Sequence, residues 1–203
     1  KSENVLPNRP YVFRSSQDIN FVIKYCAIHY IGAIAVPLES NVNDENFNQI
    51  YNEVNSCEFA EDIVDILYTT GTTGKSKGVM LSETALVSCA DNFIADLGFT
   101  SDLLFIISGP LSHIASLFKM HPVLTVGGTI CILDGLKDIN AFFDVFDLPF
   151  KKFATFLVPA SIRLIMQFSY ERLCSLADKI DFIETGAAPI TQYDMRMLSE
   201  ALP

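Results

Sequence analysis

Apolar residues along the chain fall into two patterns: short β-rich runs closed by Gly or Pro, and longer stretches with apolar positions three and four residues apart. Residues 18–35, DINFVIKYCAIHYIGAIA, are apolar on most faces behind the possible caps Ser16 and Asp18, then stop at VPLES, where Pro37 cannot continue a helix. This predicts a largely buried helix followed by a short strand or turn. NVNDENFNQIYNEVN is polar except for Phe47, Ile50 and Val54, the spacing of a surface helix with one packed stripe. DIVDILYTT then reads as a strand, a Gly/Thr loop follows, and SETALVSCADNFIADLG reads as a helix from about Ser82, ended by Gly98.

Farther along, DLLFIISGP, GGTICIL and FATFLVP read as strands, with SHIASLFKMHPVLTV and DINAFFDVFDLP between them as helix candidates. ASIRLIMQFSYERLCSLA predicts a helix in two pieces, followed by the strand IDFIETG and a last helix, ITQYDMRMLSEAL. Alternation of this kind predicts an α/β fold, a mostly parallel sheet flanked by helices on both faces. No repeat or low-complexity tract interrupts it, and no shift in composition around EVNSCEFAED marks a linker, so the chain reads as one piece of one domain.

Composition narrows the partners. Half of the 203 residues are hydrophobic, enough for a sizeable core. The net charge of -10 works against a basic face, so no nucleic-acid partner is expected. Five cysteines, Cys26, Cys57, Cys89, Cys131 and Cys174, lie at least 31 residues apart, which fits neither a disulfide framework nor a zinc site; they read as buried thiols in a reducing cytoplasm. No apolar run reaches the roughly 18 residues that span a bilayer, so no transmembrane segment is expected. The start, KSENVLPNRP, lacks the apolar core of a secretion signal and has no Met, so the true N-terminus is expected to be missing.

The candidate chemistry lies in YTTGTTGKSKG, residues 68–78. A nucleotide-hydrolase loop, G-x-x-x-x-G-K-[ST], would need glycine where Thr69 stands, and the dinucleotide pattern G-x-G-x-x-G does not fit Gly71, Gly74 and Gly78. The composition still suits phosphate. Gly71 and Gly74 can turn backbone N–H groups inward, the threonine hydroxyls add donors, and a lysine supplies compact charge. A plain flexible loop has the same Gly, Ser and Thr content. Against that stand the two lysines in an acidic chain and the position at the end of a strand, where open α/β sheets bind ligands.

ILYTTGTTGKSKGVMLSETAL resembles the phosphate-loop signature of the adenylate-forming superfamily, the acyl-CoA ligases, luciferases and peptide-synthetase adenylation domains. Thr70 replaces a serine and Ser76 a proline. Four more segments resemble the family's motifs and keep their order: YIGAIAVPLES, GPLSHIASL with Ser116 for a glycine, FATFLVPASIRLIM, and ETGAAPIT.

The resemblance implies joining a carboxylic acid to AMP with release of pyrophosphate, and then transfer of the acyl group to a thiol. ATP, magnesium and coenzyme A are the implied cofactors. Thr69, Thr70, Gly71, Thr72, Thr73 and Gly74 with Lys77 would grip the leaving phosphates, while Lys75 stands at a variable, solvated position. Gly186, Ala187, Ala188 and Pro189 would border the adenine; without the resemblance they read as an ordinary strand-to-helix turn. Glu184 and Thr185 face either ligand or core.

His113 would stand at the carboxylate pocket as a gate or hydrogen-bond donor, or else is satisfied within a helix start. His29 and His121 read as structural. Ile114, Leu117 and Phe118 line an acyl pocket or are plain core.

TGAAP and PLSHIA look like the acyl- or aryl-CoA ligase forms, favouring CoA over a carrier protein as acceptor. An adenylation module loading a carrier protein and a non-catalytic nucleotide-binding fragment are the other readings. By the same resemblance the chain is an incomplete N-terminal AMP-binding domain. The Tyr-Gly-x-Thr-Glu motif with its magnesium-assisting glutamate, and a mobile C-terminal domain with a catalytic lysine, are expected beyond Pro203. The fragment alone is not expected to turn over. Between NEVNS and DIVDIL the chain is also shorter than the resemblance leads one to expect.

Overall fold

The structure, a computed structural model, describes residues 6–69 and 76–203. In chain order its elements are β1 Pro10–Arg14, α1 Ile19–Tyr30, β2 Ile34–Leu38, α2 Asp44–Asn55, β3 Ile63–Tyr68, β4 Gly78–Ser82, α3 Glu83–Leu97, β5 Leu103–Ile107, α4 Ile114–Leu117, α5 Met120–Thr125, β6 Thr129–Ile132, α6 Ile139–Asp144, β7 Lys152–Leu157, α7 Pro159–Cys174, β8 Ile180–Thr185 and α8 Gln192–Ala201. They form two compact units, one of Lys1–Cys89 with Pro110–Leu117, the other of Ala90–Gly109 with Phe118–Pro203.

The α/β class is as the sequence predicts, but the strands divide between two four-stranded sheets. Alternation of strands and helices predicts parallel pairing without saying which strands share a sheet.

The first unit carries the order β1-β2-β3-β4. β1, β2 and β3 are parallel, and β4 runs antiparallel to β3 with Tyr68 opposite Gly78. The reading of strand, loop and helix here becomes strand, loop, strand and helix. Its core gathers Val12, Ile34, Val36, Leu38, Val54 and Ile66, with Phe47 and Ile50 of α2 packed against them as their spacing predicts. Asp18 caps α1, accepting the Asn20 N–H at 2.9 Å.

Burial around α1 differs from expectation. Phe21, Tyr25 and Ile28 are buried, whereas Ile19, Ile23 and Tyr30 are 62%, 61% and 92% exposed. One face of the helix meets protein. The chain then turns at Gly32, where φ is +71°, and continues as β2, so Ala33 to Ala35 belong to the strand side of the boundary.

The second unit is the all-parallel sheet β6-β5-β7-β8. Phe142, Phe146, Phe153, Ile162, Ile165 and Leu173 belong to its core, and Phe142 and Phe153 have no exposed surface. Burying one such side chain stabilises the fold by about 1.5–3 kcal/mol. α7 is broken at Ser169, with φ -149° and ψ 27°, giving the two pieces that the sequence predicts. Arg163 of α7 donates to Asp194 of α8 at 3.0 Å.

The five thiols are free, but the expectation of buried ones fails. Cys26 and Cys57 are exposed, and Cys89, Cys131 and Cys174 are half-buried. Cys26 follows Tyr25 on α1, turning it off the face that packs. No helix among the described residues is long and apolar enough to cross a membrane.

Candidate functional site

In the first unit the β3–β4 hairpin holds both ends of the Gly/Thr loop. Thr69 N–H donates to the Lys77 carbonyl at 2.9 Å, Lys77 N–H reaches Thr69 Oγ1 at 3.3 Å, and Ser76 Oγ donates to the Thr69 carbonyl. Gly78 permits the close approach of Tyr68 across the ladder: a Cβ there would stand 3.2 Å from the phenol ring and 3.0 Å from Ile66 Cγ2. Lys77 is exposed at the mouth of the loop. Thr70, Gly71, Thr72, Thr73 and Gly74, with Lys75, lie outside the described residues.

The β2–β3 ladder pairs only Ala35 with Asp65. Beyond it, Pro37 to Glu39 and Tyr68 to Thr69 line a cleft of about 510 Å³ together with residues of α2, Ser76, Ser112 and His113. Tyr68 is pushed up to about 12, first by burial and then by the charge of Glu53, so at neutral pH its phenol stays a donor.

His113 does two things here. Its carbonyl accepts the Ser116 and Leu117 N–H groups at the start of α4, at 3.1 and 2.9 Å, which is the helix-start role. Its ring Nε2 lies 3.0 Å from Glu39 Oε1, in the same cleft as Thr69 and Ser76. A carboxylate there fixes the ring's orientation and favours a proton on Nε2. The sequence reading missed Glu39; the only signal was an acidic residue directly after the Pro-Leu of a recognised segment. Of the apolar neighbours, Leu117 and Phe118 are buried and Ile114 is 47% exposed.

In the second unit, β8 ends in Glu184 and Thr185 and runs into the turn Gly186 to Pro189. Ala187 adopts φ +64°, a left-handed conformation that an L side chain adopts at a cost of about 1–2 kcal/mol. A Cβ on Gly186 would meet the Phe156 ring at 3.6 Å, an ordinary contact, so packing does not require glycine at this position. Thr191 then caps α8 by accepting the Asp194 N–H at 3.0 Å.

Next to this turn, Lys119 Nζ lies 2.5 Å from Glu184 Oε1, with the Lys119 side chain 5% exposed. The ammonium also stands over Phe93, 4.0 Å from the ring centroid. Glu184 Oε2 and Thr185 Oγ1 are buried and have no hydrogen-bond partner among the described residues.

The small, left-handed turn suits a flat purine against its backbone. For magnesium, no group of three or more His, Cys, Asp or Glu side chains is poised to hold an ion among the described residues.

A profile of the AMP-binding enzyme family matches residues 54–203. The chain belongs to the AMP-binding enzyme family.

Among relatives of this AMP-binding chain, a D-alanine–D-alanyl carrier protein ligase from Listeria welshimeri is 35% identical over 89 residues, 41% of this chain and 18% of that protein. Among solved structures, apo MatB from Rhodopseudomonas palustris superposes with a TM-score of 0.79 at 18% identity, over 98% of this chain and 48% of that one. The o-succinylbenzoate CoA synthetase from Bacillus subtilis, in complex with its acyl-adenylate intermediate, gives a TM-score of 0.77 at 17% identity, over 97% of this chain and 60% of that one. The chain thus spans about half the length of the first of these structures and a smaller part of the curated relative. These structural likenesses show the fold of the N-terminal part of adenylate-forming enzymes.

Proposed function

We propose that the protein carrying this chain is an adenylate-forming ligase that joins a carboxylic acid to AMP and hands the acyl group to a thiol, with residues 1–203 forming part of its large N-terminal domain. The observation that most supports this reading is the hairpin-held loop. Thr69 and Lys77 bracket a Gly/Thr sequence beside a polar cleft that also receives His113.

The physical problem is bringing a carboxylate against an α-phosphate, two anions. The Lys77 ammonium and the loop's backbone N–H groups and hydroxyls neutralise the pyrophosphate as it leaves, which stabilises the transition state more than the ground state. His113, its ring held through Nε2 by Glu39, gates the approach to the carboxylate. The Gly186 to Pro189 turn receives the adenine. When bound, magnesium offsets further phosphate charge.

Two acceptors are supported by different observations. TGAAP and PLSHIA favour coenzyme A. The 35% identity to a carrier-protein ligase favours a carrier-bound thiol at least as strongly. Carboxylate-dependent exchange of labelled pyrophosphate into ATP by the full-length protein tests the adenylation, and no exchange with a broad set of acids would refute it. Release of the acyl group to coenzyme A, or its retention on a carrier protein, then decides the acceptor.

A further inference from the structure

We propose that Lys119 and Glu184 recognise a hydrogen-bond donor, an ammonium or hydroxyl group, carried by the substrate acid. The inference rests on the ligase reading and adds to it the class of acid.

The pair is built into the second unit at the C-terminal end of β8, the end at which parallel sheets receive ligands. The ammonium of Lys119 is nearly shut off from solvent. It is held on one side by Glu184 Oε1 at 2.5 Å and on others by the faces of Phe93 and Phe156, 4.0 and 5.3 Å from their centroids. Aromatic rings at these positions would pack equally well against an apolar residue. A buried ion pair is a poor source of stability, because desolvation offsets the attraction, and an apolar pair of similar volume holds a fold about as well.

The pair is also incomplete. Glu184 Oε2 and Thr185 Oγ1 are buried and find no partner among the described residues, although native structures satisfy nearly all such atoms. What the two oxygens lack is a donor. The unshared Glu184 oxygen keeps its lone pairs, so it can accept from a hydroxyl, or from an ammonium that shares the carboxylate with Lys119. A second carboxylate would meet the unshared Glu184 oxygen and be repelled, and a bare alkyl chain would leave both oxygens sealed against hydrocarbon.

The test compares matched acids in ATP–pyrophosphate exchange by the full-length protein: propionate against lactate and alanine, and butyrate and hexanoate against their hydroxy, amino and dicarboxylic analogues. Hydroxy or amino acids are expected to exceed their plain and dicarboxylic counterparts by about tenfold or more in kcat/KM, the scale of one charge-assisted hydrogen bond. In the double variant Lys119→Met/Glu184→Met, which strands no charge, that preference should vanish while exchange with plain acids persists. Glu184→Gln carries the same direction of change if the double variant does not fold.

Plain or dicarboxylic acids used as well as the donor-bearing ones would overturn the inference and leave the ligase reading standing. So would a preference that survives in both variants. A variant altered only in its choice between ATP and purine riboside triphosphate would overturn it too, placing Glu184 at the base. Exchange with no acid at all would overturn the inference and the ligase reading together.

Discussion

Asp65 and Glu184 both stand at strand positions of this chain, and the fold treats them differently. Asp65, in the middle of β3, has no exposed surface and both oxygens are used: the Tyr25 hydroxyl donates to Oδ2 at 2.6 Å, and His29 Nε2 lies 2.9 Å from Oδ1. Both partners come from the packed face of α1, so the network ties that helix to the strand leading into the Gly/Thr loop. Burial, then the charge of Asp65, pushes the Tyr25 phenol well above its ordinary range and keeps it a donor. Glu184 at the end of β8 has one oxygen on Lys119, and the other finds no partner among the described residues. A polar group closed by the fold's own donors reads as structure, and one left open at a strand end reads as a place for a ligand.

The contrast can be broken most strongly at Asp65. Asp65→Ala removes the buried carboxylate that the Tyr25 hydroxyl and His29 share and should lower the unfolding free energy by about 2–4 kcal/mol in denaturant titrations. A loss under about 1 kcal/mol would mean that the closed network contributes little. At the open site, strain rather than a missing partner sets the next effect. Ala187→Val places a branched side chain at φ +64° and is expected to cost about 1–2 kcal/mol in the same titration.

The paired replacement Lys119→Met/Glu184→Met should stay within about 1 kcal/mol of the parent, in contrast to Asp65→Ala. A large loss there would make the second carboxylate as structural as the first.

The smallest effect concerns pH. Asp194 is held below the ordinary carboxylate range, first by the Thr191 hydroxyl and then by Arg163. Its contribution to stability is therefore present above the ordinary carboxylate value and is lost as pH falls through the depressed one. Thermal melts of Asp194→Asn should differ from the parent near neutrality, with the gap closing progressively as pH falls from about 4 through the depressed value. A gap that persists in acid would assign the effect to packing.

Much of the fold could be read from periodicity. The stripe of α2, the break in α7 and the strands β5 to β8 follow from spacing and punctuation that the tertiary structure leaves in place. The strands missed are those in which local signal is weak. β1, PYVFR, opens on proline and ends on a charge; β4, GVMLS, is mostly exposed and directly follows the loop, where it reads as an approach to α3. The solvent face of α1 was misjudged because an apolar helix surface looks buried in sequence whether or not anything covers it.

Of the candidate residues, Thr69, Lys77, His113 and the Gly186 turn follow from the family motifs. Glu39 and Lys119 were not legible, because each acts through a partner dozens of residues away. The trace they left is faint: single charges in otherwise apolar or recognised segments.

We propose that the loop between β3 and β4 grips the leaving pyrophosphate. Lys77 carries the test, since its side chain is exposed and makes no ion pair with the described residues. In the full-length protein, Lys77→Ala should reduce carboxylate-dependent ATP–pyrophosphate exchange by about 1.5–3 kcal/mol in kcat/KM, the value of a hydrogen bond to a charged group, with thermal stability unchanged. Unchanged exchange in a variant that folds as well as the parent would contradict the claim.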